Sequence, residues 1–348
     1  MEFQIIRILF FAALSFVFAI LSAPLLTHFL YKYKLGKKIR NNGATPIFSS
    51  LHAHKAGTPT MGGILIWGTV LILILFFYAL AEIFPGDIFR YFNFLSRAET
   101  LLPLGALIAT ALIGLFDDWL DIRGKGVFGG GGLKLRHRLL IYALIATVGA
   151  LWFYFKLDWT IIHVPFFGNF EIGAWYIPIF IFIIVATSFS VNETDGLDGL
   201  AGGTLLIAFA SYGIISFAMG RYDLATFCAV IIGALLSFLW FNIPPARFYM
   251  GDTGAMSLGV TLGIIAMLTN NAFLLVFIGL VFLIESLSVI IQVLSKRLSG
   301  KKVFRSAPIH HHFQAIGWPE AKVVMRFWVI AGMGATIGLI IFLLDKKI

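Results

Sequence analysis

Charge is what this chain has least of. Only 12% of its 348 residues are Asp, Glu, Lys or Arg, about half the share of a soluble domain. Acids are the scarcer sign, 17 against 26 Lys and Arg. A soluble globule of this composition is excluded, because 59% of the residues are hydrophobic and a folded surface cannot hide them all from water. Disorder is excluded by the same numbers. Cysteine is nearly absent: the single Cys228 rules out an intrachain disulfide and a thiolate metal cage, and in its apolar run it reads as a small packing residue. Internal repeats, linkers and low-complexity tracts are missing, apart from Gly129-Gly130-Gly131-Gly132.

What is present is apolar sequence in long runs. Mean hydropathy is +0.94, and a membrane-spanning helix takes about 20 apolar residues. The composition therefore suffices for about ten spans, with little left for a separate soluble domain. Reading runs between charges gives helices over 3–31, 59–81, 100–118, 138–157, 174–190, 202–219, 223–242, 255–270, 272–295 and 326–345. The expectation is an all-α polytopic membrane protein, residues 1–348 forming one integral membrane unit. Glu2 stands where a signal peptide has its basic region, and Pro24 spoils the cleavage site after Ser22-Ala23. Residues 3–31 are read as a retained first span.

Ten spans put both termini on one side. The segments 32–58, 119–138, 243–254 and 296–326 on the other side hold 19 of the 26 Lys and Arg. By the positive-inside rule that side is cytoplasmic and the termini are outside. The net charge of +9 is thus mainly a topology signal with some attraction for anionic lipid, and nucleic acid is not an expected partner. On the outer side, 158–172 is short and rich in β-branched and aromatic residues, with a turn expected at Phe167-Gly168-Asn169. It reads as a small β-hairpin. The outer segment 82–99 has room for a short interfacial helix.

The polar residues that could carry chemistry gather in the inner segments. Asp117 and Asp118 end the third span; adjacent carboxylates repel and favour a bound cation. Asn192, Asp195 and Asp198 lie in a Gly-rich turn, and Asp252 lies in Gly251-Asp-Thr-Gly254. His310, His311 and His312 follow Ala307-Pro308-Ile309, and histidine can donate to phosphate. Hard divalent ions such as Mg²⁺ take carboxylate oxygens and keep waters for a phosphate to replace. Each motif has a plainer reading as well. Asp252 can be the N-cap of the eighth span, the 195–199 tract can be ordinary turn chemistry, and the histidines can be a solvated loop. Lys55-Ala-Gly-Thr-Pro-Thr-Met-Gly-Gly63 fits both an anion-binding loop and simple helix initiation at Pro59. Glu285 stands inside the ninth span with no partner evident, which points to a functional or helix-pairing role.

Taken together the motifs resemble the phospho-N-acetylmuramoyl-pentapeptide transferases, within the polyprenyl-phosphate N-acetylhexosamine-1-phosphate transferase superfamily. The resemblance runs from about Lys55 to Trp328. It rests on Gly57-Thr-Pro-Thr-Met-Gly-Gly63, Asp117-Asp118, Asn192 with Thr194-Asp-Gly-Leu-Asp-Gly-Leu-Ala201, Asn242, Gly251-Asp-Thr-Gly254 and Ala307-Pro-Ile-His-His-His-Phe313, in that order. The histidine tract, with Gly317-Trp-Pro-Glu320 and Arg326-Phe-Trp328, distinguishes this family from its N-acetylglucosamine-transferring relatives.

The resemblance implies ten membrane helices with a cytoplasmic active-site cleft in a bacterial inner membrane. It implies transfer of phospho-MurNAc-pentapeptide from UDP-MurNAc-pentapeptide to undecaprenyl phosphate, giving lipid I and UMP in peptidoglycan synthesis, with Mg²⁺ as cofactor. Homodimers occur in the family. It assigns Asp117, Asp118, Asp252 and His310 to His312 to catalysis, with Asp252 as the metal ligand. Lys55, Thr60, Asn192, Asp195, Gly196, Leu197, Asp198 and Asn242 resemble the residues that hold substrate. Two departures stand out. Where the family usually has Lys three residues after the aspartate pair, this chain has Asp121, and Lys125 or Lys134 is the expected substitute. The loop that follows carries the unusual Gly129–Gly132 run. A UDP-N-acetylglucosamine-1-phosphate transferase and a transporter are the competing readings. The histidine tract speaks against the first, and the clustering of acids at one face against the second.

Overall fold

The computed structural model describes residues 1–36, 55, 57–84, 86–97, 99–124 and 132–346. Lys125 and Gly129 to Gly131 lie outside the described residues. In chain order the elements are α1 (Glu2–Lys32), α2 (Ile64–Ile83), α3 (Asp87–Phe92), α4 (Leu101–Arg123), α5 (Leu135–Lys156), β1 (Ile161–Val164), β2 (Gly168–Glu171), α6 (Tyr176–Thr194), α7 (Leu200–Ala218), α8 (Tyr222–Asn242), α9 (Gly251–Leu268), α10 (Leu275–Ile278), α11 (Leu280–Ser299), α12 (Ile309–Ala315) and α13 (Glu320–Asp345).

The helix at the centre is α9, and every one of its 18 residues is buried. A helix apolar on all sides belongs inside a bundle. Its few hydroxyls are satisfied: Ser257 Oγ donates to the Thr253 carbonyl at 2.6 Å and Thr261 Oγ1 to that of Ser257 at 2.7 Å, both within the helix, while Thr253 Oγ1 donates to the Ala111 carbonyl of α4 at 2.8 Å. With those bonds made, the hydroxyls cost little in an apolar interior. Helices α4 and α6 pack against α9, while α1 and α7 pack on α8. Small residues let the axes approach. A Cβ on Gly114 of α4 would lie 2.6 Å from the Asp252 carbonyl carbon, so this position draws the end of α4 onto the start of α9. The flanking helices expose Phe3, Leu21, Phe155 and Val329, as a lipid-facing surface requires.

Among the described residues, nine helices are long and apolar enough to cross a membrane. The expected ninth span, 272–295, differs. It is a bent pair, Ala272–Ile278 and Leu280–Ser299, turning by 84° at Gly279. In α11 the buried residues include Glu285, Ser286, Ser288 and Gln292, while Leu287, Ile291 and Leu294 are exposed. Its polar row thus faces the protein and its apolar row faces outward. Counting the pair as one span gives ten.

At the end of the bundle where α5 finishes, β1 and β2 pair antiparallel, His163 opposite Asn169. The hairpin stands as expected, but its turn sits two residues earlier. Phe167 N–H donates to the Val164 carbonyl at 3.1 Å, and Gly168 and Asn169 belong to β2. Pro165 fixes the turn's first φ, which the expected Gly168-centred turn left out. The short helix foreseen in 82–99 is α3.

Candidate active site

Five elements bring polar side chains to the opposite end of the bundle: the end of α4, the start of α5, the end of α6, the start of α9, and α12. The two aspartates of α4 do different work. Asp118 is 3% exposed and accepts the backbone N–H groups of Asp252 and Thr253, each at 3.1 Å. Thr60 Oγ1 adds a third bond at 3.3 Å. Asp118 thus holds the positive end of α9 with its charge. Asp252 is therefore not the N-cap of its own helix: α9 starts at Gly251 without a side-chain cap of its own, and the capping carboxylate comes from α4.

The side chain of Asp252 turns to α5 and α6. Arg138 Nη2 donates to its Oδ2 at 2.7 Å, and Asn192 Nδ2 donates to its Oδ1 at 2.6 Å. Arg138 Nη1 donates to Asn192 Oδ1 at 3.0 Å. The Nε of the same guanidinium lies 2.9 Å from Oδ2 of Asp117. One arginine therefore neutralises two carboxylates from two helices, which its planar fork of donors suits. Asp117 Oδ1 also accepts the backbone N–H of Leu133, and Asp121 Oδ1 accepts that of Gly132 at 3.0 Å. Asp121, the departure from the family pattern, anchors the returning end of the loop before α5. The site's bridging cation is Arg138, at the first turn of an apolar helix.

A second ionic cluster lies beside the Gly-rich turn. Lys55 Nζ reaches Asp198 Oδ1 at 2.6 Å and Glu320 Oε1 at 2.5 Å. The Asp198 backbone N–H donates to the same Glu320 oxygen at 2.8 Å, and Ala246 N–H donates to Asp198 Oδ2 at 3.2 Å. Burial first, then the Asp198, Glu320 and Asp195 carboxylates, push the Tyr249 phenol up to about 12; it stays a hydroxyl at neutral pH. Asn242 pins the turn from below: its Oδ1 accepts Gly199 N–H at 2.9 Å and its Nδ2 donates to the Phe248 carbonyl at 2.9 Å. Leu197 is buried among Leu200, Val323, Val324 and Phe327, so its side chain serves packing.

The three histidines diverge. His310 and His311 are buried, and His312 is partly exposed. His310 Nδ1 lies 2.9 Å from Glu285 Oε2, His311 Nδ1 3.0 Å from Gln314 Oε1, and His312 Nδ1 accepts Arg305 N–H at 3.2 Å. Among the described residues, no group of three or more His, Cys, Asp or Glu side chains converges as a ready metal cage. The structure joins Asp117, Asn192 and Asp252 through Arg138, with Asp118 on the start of α9. Lys55 and Asp198 form a neighbouring cluster, Thr60 bonds Asp118, and Asn242 pins the Gly-rich turn.

Residues 100–270 match the family described as Glycosyl transferase family 4. Residues 55–66 match signature 1 of the phospho-N-acetylmuramoyl-pentapeptide-transferases. Curated relatives bearing that same name align over nearly the whole chain. One from Chloroflexus aggregans is 38% identical over 346 residues, covering 96% of this chain and 89% of its own. One from a Geobacillus species is 40% identical over 333 residues, covering 94% and 95%. One from Clostridium kluyveri is 37% identical, covering 95% and 98%. The chain belongs to the phospho-N-acetylmuramoyl-pentapeptide transferases. The signature of these transferases includes Lys55 and Thr60, the first in the ionic cluster and the second bonded to Asp118.

Sequence reasoning missed Arg138, Glu320 and Tyr249 as members of the site. Arg138 was visible only as one more basic residue at a span's edge, and Glu320 only as the end of a motif. A basic residue in the first turn of a membrane span was the available signal.

Proposed function

We propose that the chain transfers phospho-MurNAc-pentapeptide from its UDP carrier to undecaprenyl phosphate, giving lipid I and UMP. The observation that carries this reading is the Asp117–Arg138–Asp252–Asn192 cluster at the membrane-span ends, in a chain belonging to this family. Both substrates are anionic phosphates. Their meeting needs charge neutralisation and positioning more than covalent chemistry.

Asp252 and Asp117 are the residues that would hold Mg²⁺, with Asn192 beside them. The donor set fits: two carboxylates from different helices already share one cation, the Arg138 guanidinium, and Mg²⁺ is commonly bound through one or two carboxylates plus substrate phosphates. When bound, the ion supplies charge stabilisation to the pyrophosphate and the departing UMP. Arg138 holds Asp117 and Asp252 at fixed separation and offers donors to a phosphate oxygen. Asp118 fixes the start of α9 and so the position of Asp252. Lys55, Asp198 and Glu320, with Asp195, Gly196 and Leu197 in the same turn, form the site for the uridine diphosphate end. His310 to His312 would contact the phosphate or the sugar, as donors.

A phosphate monoester with its second pKa near 6 is about nine-tenths dianion at pH 7. The lipid phosphate then attacks the β-phosphorus in line without needing a base, and Asp117 orients it. Rapid, lipid-independent exchange of labelled UMP into the UDP-sugar would mean a covalent two-step route instead. The basic residues at this end support a cytoplasmic site with both termini outside. The test is product formation by purified protein in detergent, where no gradient exists: lipid I by mass spectrometry with Mg²⁺, undecaprenyl phosphate and UDP-MurNAc-pentapeptide. Absence of lipid I from folded protein would sink the reading.

A further inference from the structure

We infer that Glu285 is a positioning residue of the transferase reaction and acts through His310. The inference rests on the proposed function and assigns a residue that the reaction scheme above leaves unused. Glu285 is an acid in an apolar tract, and the bent helix α11 turns it inward to complete burial, 0% exposed. His310 is likewise 0% exposed. Glu285 Oε2 lies 2.9 Å from His310 Nδ1, and the backbone N–H of His310 faces the same oxygen at 3.5 Å. Two nitrogens face this one oxygen, and we take it as the acceptor of both, which puts the proton between the side chains on Nδ1; the ¹⁵N measurement below tests this assignment. A histidine's active nitrogen is chosen by the bond its other nitrogen makes. Glu285 therefore assigns the outward role to Nε2.

The direction of Nε2 is fixed by the Gly-rich turn. A Cβ placed on Gly196 would collide with Nε2 of His310. Only glycine lets the turn between Asp195 and Asp198 rest on the imidazole. The contact runs from Glu285 through the ring to the turn that faces the nucleotide. The same helix is tied to the site a second way, since Ser286 and Ser190 of α6 share a hydrogen bond, two residues before Asn192. A shift of α11 moves both the ring and the end of α6.

Stability gives no reason to keep such a pair. A buried ion pair often contributes nothing net over well-packed apolar residues of the same volume, and an ionisable group at membrane depth is costly. A hydrogen bond that fixes one tautomer and one ring orientation has a use where the ring meets a substrate-binding turn. The same geometry positions the base of acyl-transfer triads, where a carboxylate orients histidine without itself moving a proton.

The experiment is a double-mutant cycle with a spectroscopic arm, on the full chain in nanodiscs. Glu285→Gln is expected to lower kcat by about tenfold or more, and Glu285→Asp to recover part of the loss. In a His310→Asn background the same Glu285→Gln change is expected to alter kcat by less than about twofold, because groups acting as a unit are not additive. Losses that multiply in the double variant would overturn the inference, as would full kcat in Glu285→Gln. The second arm needs no turnover. With ring-¹⁵N histidine, the His310 signal is assigned by its loss in His310→Asn. It is expected to report a protonated Nδ1 in the wild type and a changed tautomer balance in Glu285→Gln. Unchanged ¹⁵N shifts would refute the role. A wild type that makes no UMP but keeps the Glu285-dependent ring signal would count against the proposed reaction alone. An active wild type indifferent to Glu285→Gln would count against this inference alone.

Discussion

The carboxylate of Asp118 accepts the backbone N–H of Asp252 at 3.1 Å, across a gap of 134 residues in the chain. Two aspartates that look equivalent as site residues are thus placed in series: one on the helix terminus, the other in the site.

From that relationship, Asp118→Ala should unfix α9. Losing a helix cap costs about 0.5–2 kcal/mol, typically near 1, and the positive helix end loses its counter-charge as well. The expected result is a lowered unfolding temperature together with a large loss of turnover. Asp117→Asn, by contrast, keeps an oxygen for the Leu133 N–H, so turnover should fall with little change in unfolding temperature. Thermal unfolding in detergent, run beside the activity assay, separates the two.

Arg138 is the bridge, so its identity should matter beyond its charge. Arg138→Lys keeps one positive point but cannot span Asp117, Asp252 and Asn192 at once. Partial activity is expected from Lys and a loss of about 100-fold or more from Gln, since Gln leaves two carboxylates facing each other without neutralisation. Equal activities of the Lys and Gln variants would remove the electrostatic role.

Removal of divalent ions with a chelator should abolish turnover, and Mg²⁺ should restore it. Asp252→Asn should lose turnover and metal dependence together, because a neutral amide is a poor ligand for a hard cation. Near-normal activity of Asp252→Asn across a Mg²⁺ titration would take Asp252 out of the metal site.

Lys55→Met and Glu320→Gln should weaken the nucleotide side. Each breaks the Lys55–Asp198–Glu320 cluster. The expected effect is a rise in KM for the UDP-sugar of about tenfold, some 1.4 kcal/mol, with a smaller change for the lipid. Steady-state kinetics with each substrate varied in turn measures it. A rise confined to the lipid would contradict the assignment.

Much of this was legible in the residues, for physical reasons that also mark the limit. Apolar runs set the spans because lipid demands length and hydrophobicity, and the acids at their ends stood out because charge there is costly. The bend at Gly279 was not legible, since the run 272–295 is long enough to cross. The polar face of α11 finds its partners, such as Glu285 with His310, only in the folded chain. Glu285 was visible as an anomaly, but its partner lies 25 residues on, and no spacing rule joins them. Arg138 was hidden in plain sight, because a basic residue at a span edge serves topology as well as chemistry. The capping role of Asp118 involves backbone amides of a distant helix, which leave no trace in side-chain pattern.

Everything proposed for the site depends on the reaction and its sugar. The most direct measurement is UMP release by the purified protein with undecaprenyl phosphate and Mg²⁺, with UDP-MurNAc-pentapeptide and UDP-N-acetylglucosamine run side by side. Turnover is expected with the first and none with the second. Turnover with UDP-N-acetylglucosamine alone, or with neither in a folded preparation, would contradict it.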